Sequence, residues 1–309
     1  MSPAIEALQL RKSFGAKRAV DKATFTVGEG EVFAFLGPNG AGKTTVLRVL
    51  LGLLRPTGGE ARVLGRDPAT DARAVRLRVG YVSQLHSLYE DLTVVQNLRF
   101  LGSMYGLAGA ALRERVDEYV ERFHLADVSE GMVGAQPTGV RRRAALAGAL
   151  LHHPELVILD EPTSGMDPGS RREFWSFLGG LVGGGVTVVV TTHNLEEVEG
   201  CDRLALMLGG RIRFEGTPES FRGRWGGPVL RVRGAPWDRA FVALKQAFGA
   251  ALFGLEVHVE KERAGEAEIR SVLRAQGVEV VEISERGPTM EDAFLRAAEE
   301  AARESGTLA

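Results

Sequence analysis

One cysteine, Cys201, occurs in 309 residues. That excludes an internal disulfide framework and a cysteine-built zinc ribbon, and it fits a reducing cytoplasm. Apolar runs are short as well: none approaches the roughly 20 residues that a membrane-spanning helix needs. The first ten residues lack the basic-then-apolar pattern of a secretion signal. A role at a membrane would therefore borrow its membrane part from another chain. Charge of one sign is missing too, because 38 Lys and Arg face 40 Asp and Glu, a formal balance of -2. Such a balance gives no electrostatic case for nucleic acid or an acidic lipid surface. No internal repeat of about 20–50 residues and no low-complexity tract is evident. What remains is ordinary globular material, 44% hydrophobic and 25% charged, long enough for one large domain and a small one.

Periodicity divides the chain. Residues 4–10 and 23–27 alternate like strands around a turn at 13–16, and the apolar run 31–36 ends in glycines. A helical pattern follows over 42–54, then a mixed stretch to 71 and a strand candidate at 77–83. Residues 92–150 are mainly helix-periodic, broken at 106–109 and 129–139, which predicts a helical insert spanning about 85–150. Apolar, β-branched runs at 156–160 and 186–192 enclose a helix at about 170–181, the rhythm of a parallel sheet. A Gly-, Pro- and Arg-rich stretch at 216–228 marks a boundary. The fold class is thus α/β, with a first domain over 1–220 and a small α+β domain over 228–309 whose three strands alternate with helices.

Gly37, Pro38, Asn39, Gly40, Ala41, Gly42, Lys43, Thr44 and Thr45 follow an apolar strand and open a helix, matching the phosphate-loop pattern G-x-x-x-x-G-K-[ST]. Glycines let consecutive N–H groups face phosphate oxygens, and the helix N-terminus adds its positive end. Lys43 supplies a point charge and the Thr44 hydroxyl a Mg²⁺ ligand. A decorative glycine turn is the bland alternative, and the strand and helix context speaks against it. The apolar run 156–159 ends in Asp160 and Glu161. Adjacent acids at the carboxyl end of a buried parallel strand point to a cation or a reaction there. Asp160 is assigned to Mg²⁺ and Glu161 to the general base that polarises water; a solvated strand end is the competing reading. His193 arrives just past the next strand, at the same sheet edge.

With these residues the chain resembles the nucleotide-binding subunits of ABC transporters over residues 5 to about 218, as a P-loop NTPase with β and helical subdomains. The sequence 81–84, Tyr-Val-Ser-Gln, is similar to the family's glutamine loop; Ser164, Gly165, Met166 and Asp167 are similar to its aspartate loop, and His193 to its switch histidine. The resemblance implies ATP and Mg²⁺ as cofactors, Gln84 near Mg²⁺, and Phe14 stacking on adenine, unless that ring packs into the β layer. It further implies a transmembrane permease, a second nucleotide-binding subunit, and a place at the inner face of the cell membrane. The C-terminal unit, closing on Gly287-Pro-Thr-Met-Glu-Asp-Ala-Phe294, resembles the small accessory domain of drug- and ion-exporter ATPases.

One family element departs. Where Leu-Ser-Gly-Gly-Gln is usual, this chain has Gln136, Pro137, Thr138, Gly139 and Val140, followed by arginines 141–143. In family dimers that loop reaches the ATP held by the other subunit. Pro137 removes a hydroxyl and an N–H, and Thr138 puts a side chain where backbone must approach closely. Losing one preorganised donor costs about 10²–10³ in rate, ~2.7–4 kcal/mol. Proline at a helix start explains folding and not the lost donors. Ala144 and Gly148 depart from the usual leucine and arginine; Gly148 should weaken its helix by up to ~1 kcal/mol. Lys43, Asp160, Glu161 and His193, which serve the chain's own ATP, are intact, so an asymmetric heterodimer is favoured over a homodimer. Two other readings stay open, a regulatory ATP-binding subunit with little turnover and a soluble ABC protein acting on ribosomes or DNA. The arginines at 141–143 could be read as a nucleic-acid patch, although three on one helix more simply form a solvated face.

Overall fold

A computed structural model describes residues 3–83 and 88–304. The chain forms two compact units, the first ending at Thr217 and the second beginning at Pro218.

The first unit holds two sheets. In one, β1 (Ile5–Phe14) lies between β2 (Lys17–Val27) and β4 (Gly58–Val63), all antiparallel. The other contains β3 (Val32–Leu36), β5 (Val79–Val82), β6 (Leu156–Asp160), β7 (Thr187–Thr192), β8 (Arg203–Leu208) and β9 (Arg211–Gly216). Its order is β5-β6-β7-β3-β8-β9, parallel except for the β8–β9 hairpin. Strands β3, β6 and β7 are buried at every residue, as parallel strands covered on both faces must be. Between the sheets Phe35 meets Phe25 and Phe33 edge to face, with centroids 5.0 Å and 5.3 Å apart. Helix α1 (Lys43–Leu50) enters the same core through Val46, Leu47, Val49 and Leu50. Burying one such side chain contributes about 1.5–3 kcal/mol, so the strand that leads into the phosphate loop is firmly anchored.

Helix α2 (Ala72–Arg76) precedes β5, and the predicted insert contains α3 (Val94–Met104), α4 (Gly109–Arg122) and α5 (Thr138–Leu150). Thr93 and Gln96 cap α3 reciprocally. Helices α6 (Pro168–Gly183) and α7 (Leu195–Val198) flank β7. Gly148 sits where α5 meets α3: a Cβ there would stand 2.5 Å from Leu101 Cδ1. The helix propensity lost at that position is offset by closer packing of the two helices.

In the second unit the boundary stretch proves structured. Within the stretch read as a boundary, α8 (Pro218–Trp225) forms, for proline is acceptable in a first helical turn. Then come β10 (Val229–Ala235), α9 (Trp237–Phe248), β11 (Ala251–Phe253), β12 (Glu256–Glu260), α10 (Glu266–Ala275), β13 (Glu279–Arg286) and α11 (Met290–Glu304). The antiparallel sheet runs β11-β12-β10-β13. Val232, Val257 and Val259 pack with Leu244 of α9 and Ile269 and Leu273 of α10. On the alternate face His258 Nδ1 lies 3.0 Å from Asp292 Oδ1 of α11, both buried.

Candidate functional site

Strand register assembles the site. Leu36 at the end of β3 pairs with Thr192 of β7, and Asp160 at the end of β6 pairs with Thr191. The segments that follow, Gly37–Thr44, Glu161 and His193, therefore emerge side by side at the carboxyl edge of the sheet, the edge where open α/β sheets bind ligands.

The phosphate loop needs its glycines at two close approaches. Gly37 has φ +157°, and a Cβ there would lie 2.2 Å from the Met207 carbonyl oxygen. Gly42, the N-cap of α1, has φ +107°, with the Ala19 carbonyl oxygen 2.3 Å from a Cβ. Strand β2 thus runs directly beside the loop. Pro38, Asn39 and Gly40 are exposed, Ala41 is buried, and Thr45 is half-buried in the first turn of α1. Lys43 is buried, and its Nζ donates to the carbonyl oxygens of Gly37 at 2.6 Å and Pro38 at 3.1 Å. Its ammonium lies 3.8 Å from Glu161 Oε1. Burial lowers the Lys43 pKa, against the opposing pull of Glu161 and Asp160.

Asp160 Oδ1 accepts from Thr44 Oγ1 at 3.1 Å and Thr191 Oγ1 at 2.6 Å. The Thr191 oxygen in turn accepts from Glu161 N at 2.9 Å. Thr191 was not among the residues singled out from sequence; the only signal was a hydroxyl inside a fully buried strand beside two acids. Glu161 adopts φ +48°, a left-handed backbone that side chains other than glycine rarely take, and such strain concentrates at functional sites. Its Oε2 is 3.5 Å from His193 Nδ1, on a ring half exposed at the site's rim. Oxygen donors from Thr44 and Asp160 suit Mg²⁺, a hard ion that pairs one or two protein oxygens with substrate phosphates. Among the described residues no cluster of three His, Cys, Asp or Glu forms a dedicated metal cage.

The remaining candidates separate. Phe14, at the end of β1, is 49% exposed with Lys12 Nζ 5.2 Å from its ring centroid, so it does not pack into the β layer. Gln84 lies outside the described residues. Asp167 is the N-cap of α6, accepting from Gly169 N at 2.9 Å and Ser170 N at 3.0 Å. The Ser170 hydroxyl and the Ser170 and Gly169 N–H groups hold its pKa below the usual carboxylate range. Gly165 turns the backbone there with φ +75°. Pro137 is the N-cap of α5 without a side-chain cap, after half-buried Gln136 and before exposed Thr138. Gly139 and Val140 complete the first turn, and nothing stands within 4 Å of a Cβ built on Gly139. Arginines 141–143 diverge: Arg141 lies 3.7 Å from Glu90, Arg143 is exposed, and Arg142 turns inward. Arg142 donates to the carbonyl oxygens of Glu161, at 3.3 Å, and of Ser164. The head of α5 is thereby tied to the segment between the two acids and the aspartate loop, a link that sequence spacing does not reveal.

A phosphate loop on a central parallel strand, its lysine and threonine facing paired acids on a second strand and a histidine on a third, defines a P-loop NTPase. Residues 20–164 match the ABC transporter family. The daunorubicin resistance ATP-binding protein DrrA3 of Streptomyces coeruleorubidus is 40% identical over 291 residues, 92% of each chain. The probable multidrug ABC transporter ATP-binding protein YbhF of Escherichia coli K12 is 46% identical over 218 residues, 71% of this chain. That alignment spans only 38% of YbhF. Among solved structures, CbiO1 of Clostridium perfringens, part of the ABC transporter complex CbiONQ, has a TM-score of 0.65 at 27% identity, covering 71% of this chain and 90% of that one. The chain belongs to the ABC transporter family, among its ATP-binding subunits. Among the described residues no helix is long and apolar enough to cross a membrane.

Proposed function

We propose that this chain binds and hydrolyses ATP to power a membrane exporter, closing on a second nucleotide-binding subunit and driving a separate permease from the cytoplasmic face. The observation that carries this reading is the convergence of Lys43, Thr44, Asp160, Glu161 and His193 at one sheet edge. Lys43 and the loop N–H groups neutralise the phosphates. Thr44 and Asp160, with Gln84 as the resemblance implies, would hold Mg²⁺, which when bound would offset charge on the phosphate oxygens. Glu161 takes a proton from the attacking water, and His193, beside its carboxylate, orients the γ-phosphate. Phe14 offers its exposed face to the adenine. Export is favoured because relatives such as DrrA3 are named for drug resistance.

The finer reading is an asymmetric pair. Pro137 heads α5 with neither hydroxyl nor N–H, so the ATP site that this loop completes on the partner turns over slowly. The site built on Lys43 and Glu161 is completed by an intact loop from a different subunit. The assignment is tested with Mg-ATP binding and turnover in the assembled transporter. Lys43→Ala should abolish binding, whereas Glu161→Gln should keep binding and lower turnover by about 10²-fold or more, the scale of general-base loss. Unchanged affinity in the first variant, or rapid turnover in the second, removes the residue from its role.

A further inference from the structure

Glu197, on the short helix α7, is 5% exposed, and its carboxylate bonds Thr163, Thr192 and Asn194. As the third residue of a helix capped by Asn194, it would ordinarily reach back to the N-cap N–H. It does not: Asn194 N donates instead to Thr192 Oγ1 at 2.9 Å. The carboxylate gathers three other segments. Its Oε1 accepts from Thr163 Oγ1 at 2.5 Å and Asn194 Nδ2 at 3.4 Å, and its Oε2 accepts from Thr192 Oγ1 at 2.7 Å. Arg171 Nε of α6 stands 3.5 Å from Oε1, near enough to offset the buried charge.

Thr192 and Asn194 are the two neighbours of His193, whose ring is half exposed. Thr163 lies between Glu161 and the aspartate loop. Buried carboxylates are costly, and this one joins the backbone carrying the histidine to the backbone carrying the base. We infer that Glu197 is a positioning residue that sets the His193–Glu161 geometry, an inference that rests on the hydrolytic reading for its kinetic consequence and on the fold for its placement. Charge and shape both matter. Thr192 Oγ1 already accepts from Asn194 N, so its own proton must go to an acceptor, which a carboxylate supplies at both oxygens. A glutamine in either orientation would bring N–H groups toward hydroxyl or N–H donors at one end of the site.

The test uses the full chain, wild type and Glu197→Gln, with Thr192→Val as a second variant that removes one hydroxyl. The histidine ring signals are followed by ¹H–¹³C NMR, His193 being identified through His193→Ala. ATP turnover is measured in the assembled transporter. The His193 signal should move in both variants while the other histidines hold. Turnover should show a kcat about 10- to 100-fold lower at unchanged KM, the scale of a small misplacement, with no further fall when Glu197→Gln is added to His193→Ala. A stationary His193 signal, or losses that multiply in the double variant, overturns the role. Should the wild-type transporter hydrolyse no ATP while the His193 signal still moves, the positioning stands and the hydrolytic reading falls.

Discussion

Thr191 shows how much one hydroxyl can hold at the residue scale. It donates to Asp160 and accepts from the N–H of Glu161, so it sets the backbone of the proposed base and the carboxylate of the proposed metal ligand together. Thr191→Val keeps the shape and leaves the buried Glu161 N–H without its acceptor. Such a loss costs about 1–3 kcal/mol, to be read from urea denaturation, and Thr191→Ser should stay near wild type. Equal stability of the two variants would mean that the bridge contributes nothing. The phosphate loop was legible in the sequence because its residues are consecutive and each has a local reason to be there. Asp160 and Glu161 were legible because acids at the end of an apolar strand are conspicuous. Thr191 and Arg142 were not, because their partners are 19 to 31 residues away: Thr191 meets Asp160 through strand register, and Arg142 meets Glu161 through the packing of α5.

Among the elements, continuous apolar strands and helix-periodic stretches could be read directly, as in β3, β6, β7 and the insert with its two breaks. Less visible was β4, whose Gly-Gly-Glu-Ala-Arg-Val sequence gains its strand character by pairing with β1. Helix α8 was hidden by the glycine, proline and arginine around it. Two glycines test the packing of α5. At Gly80 in β5 a Cβ would stand 2.4 Å from the Ala149 carbonyl oxygen, a backbone atom fixed within α5. Gly80→Ala should cost about 1–3 kcal/mol or more, as overpacked cores do. At Gly148 the atom met is the mobile tip of Leu101. Gly148→Ala should therefore stay within about 1 kcal/mol of wild type, gained helix propensity balancing repacking. Thermal or urea unfolding of both variants ranks them, and the reverse ranking would contradict the α5 packing described.

At the scale of the whole molecule, stability should depend on acid through His152. Its ring stacks on Tyr105 with centroids 3.6 Å apart and planes 3° from parallel. Burial pushes its pKa from 6.5 down to about 4. The unfolded chain takes up a proton that the folded chain refuses, so stability is full above pH 6.5 and is lost progressively as pH falls toward 4. The loss is at most about 3 kcal/mol and smaller to the extent that solvent reaches the ring. Urea midpoints measured between neutral pH and the low end of this window should fall for the wild type and flatten in His152→Gln. An equal slope in that variant would assign the acid sensitivity elsewhere.

Under the proposed function, activity at this scale depends on what completes each ATP site across a pair of subunits. As proposed, this chain carries competent hydrolytic residues of its own and a weakened loop for its partner. The most direct measurement is Mg-ATPase activity of the purified chain alone, beside a Pro137→Ser/Thr138→Gly variant that restores a hydroxyl and an open backbone at the head of α5. Almost no turnover is expected in the wild type, with a gain of about 10²-fold or more in the repaired chain. Robust activity without the repair would rule out the asymmetric pairing, showing that Gln136 to Val140 works as it stands and that two copies of this chain suffice.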